Sequence, residues 1–219
     1  LNAASNQSGC AGAGAYGAGD TIDLPAGTFP YADAAVLTVP ATIHGAGMGQ
    51  TIVDYGGNNA GLRWQNTSGT VKSALIRDLS FIDANFVSGN SAYINVNNVA
   101  FTMRNVEFYS TNSSYSTQSV VTVHADAIDT ASSLIEKIYV HNIANMNNVV
   151  RHYTSAGHSF TNNILRNSVI SSVTQNQGTT ISFAVYDDGG TIGGEVYNNS
   201  IQDAIFTVGG GVFAAEATA

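Results

Sequence analysis

A pattern returns about every thirty residues along this chain. It is read in the segments Ile76–Phe81, Met103–Phe108, Ile135–Val140, Leu165–Ile170 and Val196–Ile201. Each opens on an apolar residue and closes on another five places later. A polar or charged pair follows the opening residue: Arg77-Asp78, Arg104-Asn105, Glu136-Lys137, Arg166-Asn167 and Tyr197-Asn198. A fixed period of this size means stacked structural units, because one unit cannot bury its own apolar face.

The units carry strand signals. They are short, rich in Val, Ile, Phe, Tyr and Thr, and broken by Asn, Gly, Ser and Asp. Each period holds a second strand-like run: Tyr93–Val96, Val120–Val123, Val149–His152 and Ile181–Val185. Short strands at this spacing, with no helical pattern between them, predict an all-β fold: a right-handed parallel β-helix of about six turns. Asn105, Asn167 and Asn198 share one place in the repeat, with Asp78 in the same column. Corners of a solenoid turn need left-handed backbone angles, which Asn tolerates. Stacked Asn side chains can also hydrogen-bond from turn to turn.

The first turn is read upstream, in Gly19–Phe29 (GDTIDLPAGTF) and Leu37–Gly57 (LTVPATIHGAGMGQTIVDYGG). These segments resemble the opening of secreted right-handed parallel β-helix proteins of the pectate-lyase-like superfamily. They are especially similar to choice-of-anchor bacterial surface proteins. The motifs are architectural, with glycines making turns and apolar residues filling the core. The resemblance implies a β-helix and an extracellular or cell-surface location, and it implies no activity.

One domain, residues 1–219, is expected, with 1–19 and 207–219 as terminal segments. Leu1–Ser5 has no charged or apolar leader pattern, so the chain reads as a processed product. No apolar run is long enough to span a membrane. The net charge is −8 and the seven Lys and Arg residues are scattered in sequence, which argues against a nucleic-acid surface. Cys10 is alone, so an intrachain disulfide is excluded. Asn6, Asn66, Asn112 and Asn198 stand in N-x-S/T sequons.

Enzymes on such a scaffold gather acids, bases and cations on one outward strand face. The best constellation here is His124 with Asp126, then Arg151 and His152 one turn later, then Asp187 and Asp188. Two readings stand. In one, His124 or His152 is a base, Arg151 and Asp187 complete a catalytic face, and Asp126, Asp187 and Asp188 bind a metal. In the other, preferred, these residues simply close strands at turns, and no catalytic, metal or cofactor site is expected. His44 reads as an exposed turn residue, and His141-Asn142 as a weaker pair. Trp64 and the tyrosines either stack on sugars or pack in the core.

The expected function is therefore structural: a surface β-helix that associates head-to-tail with copies of itself, as a filament, surface layer or adhesin subunit. A carbohydrate-binding β-helix stands second. A polysaccharide lyase or hydrolase stands third, so the chain is expected not to be an enzyme.

Overall fold

The computed structural model describes residues 19–31, 36–37, 39–59, 61–66, 69–85, 92–115, 117, 119–126, 132–144, 146, 148–155, 157–175, 181–188, 191–202, 205–206 and 212–218. Asn6, Cys10 and most of the segment 1–19 lie outside them. The strands are β1 (Thr21–Asp23), β2 (Gly27–Pro30), β3 (Val36–Leu37), β4 (Thr42–His44), β5 (Thr51–Asp54), β6 (Leu62–Gln65), β7 (Lys72–Ile82), β8 (Ala92–Asn97), β9 (Val99–Tyr109), β10 (Ser119–Ala125), β11 (Ser133–His141), β12 (Asn148–Thr154), β13 (Ser159–Arg166), β14 (Val169–Ser171), β15 (Thr174–Gln175), β16 (Ile181–Asp188), β17 (Thr191–Tyr197), β18 (Ser200–Gln202), β19 (Ile205–Phe206) and β20 (Val212–Thr218). No helix occurs among the described residues.

Every pairing among these strands is parallel. One sheet runs β1-β4-β7-β9-β11-β13-β17, and a second β3-β6-β8-β10-β12-β16-β20. A further segment of the first sheet carries β2-β5-β7 at one end and β11-β14-β18 at the other. The chain is a parallel β-solenoid. Seven strands stack in the second sheet, one level more than the six turns read from the period. Within the terminal segment 207–219, β20 pairs along β16 as the last level of that sheet.

The corner column has the predicted backbone. Asp78, Asn105, Asn167 and Asn198 have φ of 59°, 55°, 54° and 53°. Asn105 Nδ2 donates to Asp78 Oδ1 at 2.7 Å, tying one turn to the next. Lys137 occupies the same place, with φ 54°, although its side chain has no local reason to favour it. Gly45 answers a different need. A Cβ there would fall on the Asp78 carbonyl oxygen and the Leu79 side chain. Only glycine lets the first turns approach so closely.

The apolar frame of the repeat faces inward. Ile43, Ile76, Met103, Ile135 and Leu165 form one register column and are buried. Val53, Phe81, Phe108, Val140 and Ile170 form another. Val196 and Ile201 continue these columns and are partly buried against the core. Aromatic rings fill the first half of the interior: Phe81 stacks on Phe108 with centroids 5.5 Å apart, and Tyr93 meets Phe108 edge-on at 5.5 Å. Trp64 is fully buried against Phe101, so it is a core residue.

Two outcomes test this packing. Phe108→Ala should lower the unfolding free energy by about 3–5 kcal/mol, read by urea denaturation. Lys137→Asn should raise stability by about 0.5–1 kcal/mol, because Asn tolerates the left-handed corner better than Lys.

Candidate functional site

In a strand, alternate residues face opposite sides of the sheet. The frame residues Phe81, Phe108 and Val140 face inward, so their neighbours face out. Two outward columns result: Ser80, Glu107 and Tyr139 in one, and Ile82, Tyr109, His141 and Ser171 in the other. The His141 ring lies between two tyrosines. Its centroid is 4.9 Å from that of Tyr109 and 4.3 Å from that of Tyr139, with interplanar angles of 13° and 21°.

His141 Nε2 is 3.0 Å from Glu107 Oε1. The other carboxylate oxygen accepts from Ser80 Oγ at 2.6 Å, and Ser80 Oγ accepts from the Gly49 N–H. An ionised carboxylate only accepts, so Nε2 is the donor in this contact. Burial holds the Tyr109 phenol above its ordinary pKa, and the charges of Glu107, Asp83 and Asp54 add to this.

Beside this cluster is a cavity of about 630 Å³, lined by Tyr109, Ser110, Thr111, His141, Asn142 and Ser172 among others. Asp83 fixes its rim, accepting from Thr111 N and Thr111 Oγ1 at 2.6 Å each and from Ser110 Oγ at 3.1 Å. The arrangement offers hydroxyls, an imidazole and aromatic faces to a polar ligand of moderate size. His141-Asn142 was read only as a weak pair, and Glu107, Tyr109 and Tyr139 were not singled out.

The constellation read from the sequence is divided by the same alternation. Arg151 and His152 are adjacent, so they cannot share a face. Arg151 is outward and partly exposed, whereas His152 lies in the core, 1% exposed. There Ser133 Oγ is 3.1 Å from His152 Nε2 and donates to Asn163 Oδ1 at 2.8 Å. His152 is therefore not a base on the outer face, and burial pushes its pKa down to about 3. His124 is outward and half-buried, with Nδ1 3.9 Å from Asp126 Oδ1. Burial lowers its pKa against the opposing effect of Asp126, and Arg151 and Arg63 lower it further. Asp126 accepts from Asn97 Nδ2 at 2.8 Å. Asp187 and Asp188 pair in register with Tyr153 and Thr154. No group of three or more His, Cys, Asp or Glu side chains among the described residues could hold a metal ion.

Stacking also gathers cations that are scattered in sequence. Asp23, His44, Arg77, Arg104, Glu136, Arg166 and Tyr197 form a single outward column. Glu136 is held by Arg104 at 2.9 Å and by Arg166 at 2.6 Å. His44 is a strand residue, with Nδ1 2.9 Å from Asp23 and Nε2 3.5 Å from Asp78. Among the sequons, Asn112 and Asn198 are exposed. Asn66 is buried, and its amide donates to the Thr70 and Asn98 carbonyls.

No family model and no curated protein sequence matches this chain. Solved structures do resemble it. The A-module of Azotobacter vinelandii mannuronan C-5 epimerase AlgE4 shares 14% identity over 97% of this chain and 71% of its own, with a TM-score of 0.29. The AlgE6 A-module gives 16% identity, 97% and 68% coverage, and a TM-score of 0.34. The Streptococcus pneumoniae surface protein and adhesin PfbA gives 8% identity, 100% and 94% coverage, and a TM-score of 0.33. The solenoid assignment rests on the strand register itself, and no residue role passes from these proteins to this one. No helix among the described residues is long and apolar enough to cross a membrane.

The buried imidazole gives a pH test. The unfolded chain takes up a proton at His152 as pH falls below about 6.5, whereas the folded protein refuses it until about pH 3. The His152 contribution is thus fully present above that upper value and is lost as pH falls towards the lower one, by about 1.4 kcal/mol per pH unit. His152→Leu should show a flatter dependence of unfolding free energy between roughly pH 6.5 and 4. Parallel curves for the two proteins would show that the imidazole is not buried neutral.

Proposed function

We propose that this chain is an extracellular or cell-surface β-solenoid that binds a saccharide on the outward face of β7, β9 and β11. One observation carries the reading: an imidazole layered between Tyr109 and Tyr139, tied to Glu107, beside a cavity of about 630 Å³. Aromatic faces pack against the apolar faces of sugar rings. The hydroxyls and amide of Ser110, Thr111, Asn142 and Ser172 supply the polar contacts that orient a sugar.

The test is a glycan-array screen followed by calorimetry. Binding to a defined oligosaccharide, weakened about ten-fold by Tyr139→Ala, supports the reading; that factor corresponds to about 1.4 kcal/mol. Retention of full affinity by both Tyr139→Ala and His141→Ala would move the binding surface elsewhere. Turnover of a polysaccharide abolished by His124→Ala or Arg151→Ala would promote the lyase reading on the second sheet.

A second reading, head-to-tail association of copies of this chain, draws on the strand edges. β1 and β3 at one end, and β17 and β20 at the other, each pair on one side only among the described residues. An unpaired parallel edge presents N–H and C=O groups that need water or another strand. Joining unlike ends gives a contact that propagates. Sedimentation velocity checks this: the full chain should form species larger than a monomer, and removal of 207–219 should reduce them. A monomer at high concentration would dismiss this reading and leave the first intact.

A further inference from the structure

One wall of the cavity is built by a segment that runs backward along the solenoid. Ser110, Thr111 and Ser113 supply this wall, whereas His141 and Ser172 belong to later turns. Between Ser110 and Tyr115 the chain braces itself. The Asn112 N–H donates to Ser110 Oγ at 3.2 Å, the Ser114 N–H to Asn112 Oδ1 at 2.9 Å, and the Tyr115 N–H to the Asn112 carbonyl at 3.1 Å.

Both ends of this segment are tied to earlier turns. Ser110 and Thr111 donate to Asp83, one turn before them. The Gly57 N–H donates to the Asp83 carbonyl at 2.8 Å, so Gly57 stands one level earlier again. The half-buried Tyr115 reaches that far: a Cβ on Gly57 would fall on the Tyr115 hydroxyl and ring. Gly57 also has a φ of 76°, so backbone and space both call for glycine there.

We propose that Tyr115 is a positioning residue of the cavity: seated on Gly57, it holds the segment Ser110–Tyr115 back and fixes the cavity's width. Its effect on a ligand rests on the saccharide-binding reading above. Asp83 fixes where the segment starts, and Tyr115 fixes where it ends. Tied at both places, the hydroxyls of Ser110, Thr111 and Ser113 keep a constant distance from His141 and Ser172. Freed at Tyr115, the segment retains only the Asp83 tie, and a ligand then has to order those side chains at an entropic cost.

Two measurements on the full chain test this. Amide hydrogen exchange reads the segment without any ligand, and calorimetry with the oligosaccharide found by the array reads the site. Tyr115→Ala should speed exchange of the 111–115 amides about ten-fold and weaken saccharide binding about five-fold. Exchange in β9 and β11 should not change. Tyr115→Phe keeps the ring and should match the unmodified protein in both measurements, and Gly57→Ala should reproduce Tyr115→Ala. Unchanged exchange of the 111–115 amides in Tyr115→Ala overturns the proposal. Faster exchange with full affinity overturns it too, since the segment would then not position the ligand. If the unmodified protein binds no saccharide, the saccharide reading falls, and exchange alone decides whether Tyr115 holds the wall. Tyr115→Ala and Tyr115→Phe decide the matter even if Gly57→Ala does not fold.

Discussion

The whole structure depends on parallel strands meeting in register from turn to turn. A parallel pair satisfies one backbone edge, and the next turn must satisfy the other. That demand fixes the corner. The chain has to change direction at the same place in every turn, and it does so with a left-handed residue in the column Asp78, Asn105, Lys137, Asn167 and Asn198. Once the corner is set, alternation decides every side chain on both sides of it. Ile76 and Phe81 face in, and Arg77 and Ser80 face out, because an odd residue at the corner reverses the sense of the count.

The interior is not uniform along the axis. Aromatic stacking through Tyr55, Phe81, Phe108 and Tyr93 dominates the first half. Further along, Ser133, His152 and Asn163 place a buried hydrogen-bonded chain between the two sheets. The Ser133 hydroxyl donates to Asn163, so it accepts from His152, which defines the neutral Nε2–H form. Such a chain contributes little net stability, but leaving any member without its partner is costly. It therefore ties the relative position of the two sheets to one arrangement.

The fold was legible in the sequence because its determinants recur. The apolar frame, the polar pair and the corner Asn each return once per turn, and each recurrence strengthens the inference. The site was less legible because each of its residues occurs once. Glu107 sits where other turns carry Ser80, Tyr139, Val169 and Ser200, so no repetition marks it. A signal did exist. The fourth place after each opening apolar residue faces outward, and reading that column alone brings Glu107 beside Tyr139. The pairing of Arg151 with His152 failed for the complementary reason. Proximity in sequence was taken for proximity on a face, and in a strand adjacent residues point apart.

The turns differ in length although their strands align. The step is 27 residues from Asp78 to Asn105, 30 from Glu136 to Arg166 and 31 from Arg166 to Tyr197. Connections outside the strands absorb the difference, at a closure cost that grows slowly with length. Each outward column is consequently written by residues far apart in the sequence and held at neighbouring levels by the pairing of the strands that carry them. A substitution at one level leaves the others in place, and a duplicated turn would add one more level to every column at once. The outer surface can thus be revised one letter at a time, or lengthened by a whole line, without disturbing the text already there.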